Sequence, residues 1–277
     1  MVAVRALALL SVALIVAANG IAQSEPPAGQ ASSTPAETVN PPAAGPQVAT
    51  PAPAPAAQRR PELSPMRRGD ILMARKMYRE AIETYREGIR NVAVLYNKIG
   101  IAYHQLMDFK AALENYNMAL RLDPRYPEAI NNIGAVYYAK KNYKRAIKEY
   151  RKALKYAPNS ASIYSNLGTA FFARKKYKDA FENYQKALAI DPDVFERRST
   201  AGVLLQERSV EERAKFHFYL AKTYARAGMV DRALMYMRKA LEEGFRDKDK
   251  FRKDPDFKAL QENEEFQALL AMEPRVL

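Results

Sequence analysis

The side chains able to do covalent or metal chemistry in this chain are few and scattered. It has no cysteine, and its two histidines, His104 and His217, stand more than a hundred residues apart. A transition-metal site wants a cluster of His or Cys ligands, which this spacing does not supply. The glycines are isolated, so no run of them could cradle a phosphate. Carboxylates are plentiful but fall in patterns such as Glu80, Glu83 and Glu87, the spacing of an exposed helix face. The sequence therefore predicts no catalytic residues, no metal, no cofactor and no small-molecule substrate: a protein that is not an enzyme. What remains is polar recognition. The formal net charge is +13, and cations gather in two runs: Lys140, Lys141, Lys144 and Arg145, then Arg174, Lys175, Lys176 and Lys178. Such runs attract an acidic partner, an anionic polymer or a membrane surface. No nucleic-acid recognition motif accompanies them, and nucleic acid is not expected as a partner.

The elements that carry these residues repeat. Gly100, Gly134 and Gly168 stand 34 residues apart, as do Tyr103, Tyr137 and Phe171, and Ala112, Ala146 and Ala180. The same step separates Tyr116, Tyr150 and Tyr184, then Ala119, Ala153 and Ala187, then Pro124, Pro158 and Pro192. A fixed period of this length marks an array of helix pairs or similar units. Within one unit, Ile130, Ile133 and Tyr137 form the apolar stripe of a first helix over residues 128–140. Ala146, Tyr150 and Ala153 form that of a second over 143–156. Prolines end the units because they lack the amide hydrogen a continuing helix needs. Gly134 and Ala146 are small enough for close helix approach, with Tyr137 and Tyr150 filling the space beside them. Both cation runs fall at the bend between paired helices, and stacking aligns these bends along one edge.

The pattern resembles the tetratricopeptide repeat (TPR), which runs G-x2-Y, then A-x3-F/Y, an Ala and a closing Pro. The resemblance implies an all-α fold: a right-handed superhelix of about five helix pairs with a C-terminal helical cap. It also implies a concave groove, lined by first helices, that holds a segment of another protein. Its reader positions fall on Asn97, Lys98, Ile101 and His104, then Asn131, Asn132, Ala135 and Tyr138, then Ser165, Asn166, Thr169 and Phe172. Asn132 and Asn166 match the asparagine ladder of the TPR region of O-GlcNAc transferase, which holds a peptide backbone. An amide suits that task because it donates and accepts at once. Lys98 and Tyr219 interrupt the ladder on either side. The carboxylate clamp of chaperone-binding TPR proteins is not matched, since its positions hold Asn97, Ile101 and Ala135. His104 is expected to line the groove, and His217 to pack among Phe216, Phe218 and Tyr219.

The organisation along the chain follows. Residues 1–22 read as a signal peptide: Arg5, an apolar run over 6–18, then small residues suited to cleavage near Ala22. The expected location is periplasmic or secreted; the alternative is an uncleaved N-terminal membrane anchor. Residues 23–61 hold ten of the 17 prolines and read as a disordered tether. The repeat domain spans 62–245, with units at 62–92, 93–126, 127–160, 161–192 and 214–245. An insertion at 193–213 interrupts the phase; Phe195 and Val203, Leu204 and Leu205 are expected to dock on the stack. In the fifth unit Met237 replaces the usual aromatic, and Gly244 ends the second helix. Residues 246–277 read as a cap of two short helices begun by Asp254 and Asn263. The leading functional expectation is a scaffold that binds a partner polypeptide during assembly of an envelope or secreted complex. The alternative is a structural envelope protein using its basic edge on an anionic component.

Overall fold

The glycine in the first helix of each of the first four repeats is where two helices close on each other. A Cβ built on Gly69, Gly100, Gly134 or Gly168 would lie 2.2, 2.5, 2.6 and 2.5 Å from the rings of Tyr85, Tyr116, Tyr150 and Tyr184. Those rings are fully buried, so the tyrosine of the second helix lies flat on the backbone of the first. The computed structural model of the chain divides into Met1–Ala57 and Gln58–Leu277. It describes residues 63–88, 92–196 and 209–272, all within the second unit. The expected signal peptide and tether, and Val203, Leu204 and Leu205, lie outside the described residues.

The described residues form helices and no strand. Five pairs follow one another: α1 (Pro65–Ala74) with α2 (Tyr78–Glu87), α3 (Ala93–Gln105) with α4 (Phe109–Leu122), α5 (Pro127–Ala139) with α6 (Tyr143–Tyr156), α7 (Ala161–Ala173) with α8 (Tyr177–Ile190), and α9 (Val210–Arg226) with α10 (Val230–Glu242). Pro65 and Pro127 sit in the first helical turn, where no amide hydrogen is needed. The carboxylate of Asp108 and the amide oxygen of Asn142 accept from backbone N–H groups to start α4 and α6. Successive first helices touch, α3 with α5 and α5 with α7, and no contact of that extent joins successive second helices. The first helices therefore form the inner side of the stack. This is the TPR solenoid the sequence predicts. Among the described residues, no helix is long and apolar enough to cross a membrane.

The bend inside each pair has one geometry. After α5, Lys141 N–H donates to Tyr138 C=O and Asn142 N–H to Tyr137 C=O, at 2.8 Å each. The same two bonds recur after α1, α3, α7 and α9. This closure requires a left-handed residue just past the helix. Repeat five supplies Gly228, at φ 73°, whereas Lys76, Met107, Lys141 and Lys175 hold φ between 56° and 62°. A side chain there costs roughly 1–2 kcal/mol that glycine avoids.

Repeat five departs from the others in a compensated way. Ala221 stands where they have glycine, and Met237 where they have tyrosine; both are buried. The added methyl takes the space of the ring face, and an unbranched thioether fits what is left. The fifth unit also starts earlier than expected. The Ser209 hydroxyl accepts from Glu212 N–H at 3.2 Å, so α9 begins at Val210 rather than near Ala214. Phe195 docks as expected, edge-on to Tyr184 and Tyr224. Glu196 behind it accepts from Tyr224 Oη at 2.7 Å.

The cap has three segments rather than two. A short helix α11 (Asp249–Lys253) precedes the expected pair: a 3-10 helix over Pro255–Leu260, begun by Asp254, and α12 (Glu264–Ala271), begun by Asn263. Phe251 at the centre of α11 explains the extra turn. It is fully buried against Phe218, Phe245 and Phe257.

Candidate functional site: the inner face and the turn edge

The polar side chains expected to face a partner are instead spent between repeats. Asn132 Nδ2 donates to Asn97 Oδ1 at 3.0 Å, and Asn166 Nδ2 donates to Asn131 Oδ1 at 3.0 Å. Asn131 Nδ2 reaches Asn132 Oδ1 at 3.4 Å, joining the two bonds into one chain across α3, α5 and α7. All four asparagines are buried. Lys98, which interrupts the ladder in sequence, extends it in space: its Nζ lies 2.6 Å from Asp70 Oδ1 in repeat one, beside the Tyr85 hydroxyl. The expectation that Asn132 and Asn166 hold a peptide is therefore corrected. A buried amide left without partners costs more than an exposed one gains, so these positions hold repeat to repeat. The signal was available in sequence. Both Asn pairs are 35 residues apart, one period plus one. That offset places them on neighbouring helices.

Replacing Asn132 with leucine should accordingly act on stability. It strands Asn97 Oδ1 and Asn131 Nδ2, each a loss of about 1–3 kcal/mol. Thermal unfolding should show a lower midpoint for Asn132→Leu. An unchanged midpoint would mean that the amides are solvated rather than bonded to one another.

Three further reader positions are corrected. Phe172 is buried, packed edge-on to Tyr177, Phe216 and Tyr219, and so belongs to the joint between repeats four and five. Thr169 is buried and donates to Ser165 C=O at 2.9 Å, while its hydroxyl accepts from Tyr184 at 3.4 Å. Ala135 is buried as well. Ile101, His104, Tyr138 and Ser165 stay half-exposed on the first helices. His104 stands edge-on to Phe109 with centroids 5.5 Å apart, and burial lowers its pKa, favouring the neutral ring. His217 packs on Phe216 and Tyr236 rather than on Phe218 and Tyr219. Its Nδ1 also lies 2.8 Å from Glu243 Oε2. Burial outweighs that carboxylate, and the His217 pKa is lowered too.

Sequence reasoning overlooked a run of ring pairs across the bends. His104 with Phe109, Tyr138 with Tyr143, and Phe172 with Tyr177 meet at 5.5, 5.2 and 5.3 Å between centroids. Five residues separate the members of each pair, in phase with the 34-residue step, and that spacing could have revealed them. The cations lie beside these rings. Lys140, Lys141, Lys144 and Arg174 line a shallow depression of about 360 Å³ with Asn142 and Tyr143. Two adjacent bends thus share one concavity, and none of these four cations has an ion-pair partner among the described residues. Lys175, Lys176 and Lys178 are exposed on the next bend. Arg145 differs, lying over the Tyr137 ring at 5.4 Å from its centroid. Among the described residues, no three His, Asp or Glu gather as they would around a metal ion.

Comparison with known proteins bears on the repeats. A family described as Tetratricopeptide repeat matches residues 126–193, and one described as TPR repeat matches residues 100–141. No curated protein matches the chain. Similar solved structures include a crystal structure of MamA, 22% identical over 63% of this chain and 93% of that one, with a TM-score of 0.43. MamA 41-end from Desulfovibrio magneticus RS-1 is 23% identical over 65% of this chain and 92% of that one, with a TM-score of 0.44. The first TPR of Spaghetti (RPAP3), bound to the HSP90 peptide SRMEEVD, is 25% identical over 38% of this chain and 82% of that one, with a TM-score of 0.36. The two family matches fall on the units whose glycine–tyrosine closure and stacked helix pairs are described above, and on both grounds residues 100–193 of this chain are tetratricopeptide repeats.

Proposed function

We propose that this protein is a non-catalytic interaction scaffold that holds a segment of another polypeptide against the inner face of its stack. The observation that carries this reading is the division of labour on the first helices. The asparagines and Lys98 tie repeat to repeat, and Ile101, His104, Tyr138 and Ser165 remain half-exposed between them. A rigid inner surface with exposed apolar and aromatic positions can bind without paying to order itself. With the N-terminal 22 residues read as an export signal and residues 23–61 as a tether, its setting is an envelope or secreted assembly.

Affinity purification with cross-linking from the native cells tests this. Ile101→Glu with Ser165→Glu should remove the co-purified partner while the helical signal persists. An unchanged set of partners would overturn the reading. A second reading, a structural protein held to an anionic polymer or membrane surface, is favoured by the exposed cations at the bends. Attachment of that kind should fail near ~0.5 M salt, where exposed charges are screened within a few ångströms.

A further inference from the structure

The bends of repeats two to four carry three kinds of group on one edge. Repeat two offers Leu106 and Met107, the latter 59% exposed. Repeat three offers Lys140, Lys141 and Lys144, and repeat four Arg174, Lys175, Lys176 and Lys178, all but half-buried Arg174 exposed. Between them stand the half-buried rings of Tyr143 and Tyr177. The shared depression at Lys140–Lys144 and Arg174 shows that neighbouring bends form one surface. Three of these side chains occupy the position where the bend calls for glycine: Met107 at φ 62°, Lys141 at 56° and Lys175 at 59°. Repeat five closes the same bend with Gly228. Strain of this kind persists where a side chain has a use. Here it fixes one aliphatic and two cationic groups outward on consecutive repeats.

We propose that this edge is a docking surface for an acidic polypeptide segment that also carries aliphatic side chains. The proposal rests on the scaffold reading and gives its partner a chemistry. Cations alone would suit any polyanion. Cations interleaved with tyrosine rings and flanked by an exposed Leu–Met pair match a chain of mixed acidic and apolar residues better than a bare phosphate polymer. The long stems of the lysines add apolar cover over carboxylates seated between them.

The left-handed positions permit a test in which folding and binding move in opposite directions. Lys141→Gly with Lys175→Gly removes two charges and relieves two strained residues, so the melting temperature should hold or rise. The affinity of the full-length chain for a labelled peptide of alternating Glu and Leu should nevertheless fall about three- to tenfold. Met107→Gly should weaken that peptide while leaving poly-glutamate unaffected. Lys152→Ala, on the exposed face of α6, should leave both unchanged. The wild type should bind the Glu–Leu peptide more tightly than poly-glutamate, polyphosphate or phosphatidylglycerol vesicles. Preference for either of the last two, or equal losses from Lys152→Ala and the glycine pair, would overturn the proposal. Where inner-face variants abolish partner capture and the glycine pair does not affect the peptide, this proposal fails and the scaffold reading stands. Capture that survives the inner-face variants sinks the scaffold reading instead.

Discussion

Gly134→Ala should destabilise the protein by about 2–3 kcal/mol, although alanine is the better helix former by roughly 1 kcal/mol. The new methyl would sit 2.6 Å from Cε1 and 2.7 Å from Cδ1 of Tyr150. That ring is fully buried, with Ala146 and Ala153 of its own helix in the same core. It cannot swing aside without opening the joint between α5 and α6. Tyr150→Ala should cost about 3–5 kcal/mol by the opposite route, a cavity. Either loss should spread, because stability in a stacked array is partly interfacial. Repeat five shows the compatible alternative, Ala221 with Met237. Gly134→Ala with Tyr150→Met should therefore be more stable than the two single changes added together, by about 1 kcal/mol or more. Urea unfolding followed by helical signal reads all the variants. Strict additivity, or a Gly134→Ala midpoint equal to wild type, would show that the ring does not lie on the glycine.

Truncation after Gly244 should produce the other large effect. The removed segment buries Phe251, Phe257, Leu260, Phe266, Leu269 and Leu270, worth roughly 1.5–3 kcal/mol each before ordering costs. Its removal uncovers Phe218, Leu234, Met237 and Leu241, all buried in the intact chain. It also strips Lys222 of Asp254 at 2.5 Å and of Asp256 at 3.3 Å, and Arg226 of Asp256 at 3.2 Å. Apolar surface opened on the end of a stack invites a second copy. The truncated protein should melt at a lower temperature and sediment as a concentration-dependent oligomer. Phe257→Ala, a milder lesion in the same joint, should cost about 3–5 kcal/mol without abolishing the fold. A truncated chain that stays monomeric, melts as before and resists proteolysis in repeat five would make the cap dispensable.

The scaffold was written in residue types at fixed spacing. Glycine and tyrosine 16 residues apart in each of repeats one to four can be satisfied together only if one helix lies on the other. So the five helix pairs and the small-against-large core were readable before any coordinates. The caps at Asp254 and Asn263 were readable for the same reason: a side chain bonding a backbone N–H two or three residues on is a local event. Phe195 could be assigned to the stack because a large ring beside a proline break has little else to do.

What the residue types left open was which polar group meets which. Asn132 and Asn166 carry amides that serve a peptide or a neighbouring asparagine equally well. The 35-residue offset stands in the sequence, but it was the packing of α3, α5 and α7 that turned it into contact and put Asn97 and Asn131 within 3.0 Å of them. Lys98 found Asp70 across a repeat boundary that its own sequence neighbours do not reveal. Phe172 looked like a groove residue until α9, arriving after a break in phase, laid Phe216 and Tyr219 against it. The bends gave no warning that Lys141 and Lys175 would be left-handed, since a lysine's type does not disclose its φ. Short-range periodicity determines a solenoid's elements because each unit repeats the same local bargain between helix and core. Its surface is decided by the rotation from one unit to the next, a property of packed volumes that no single position carries.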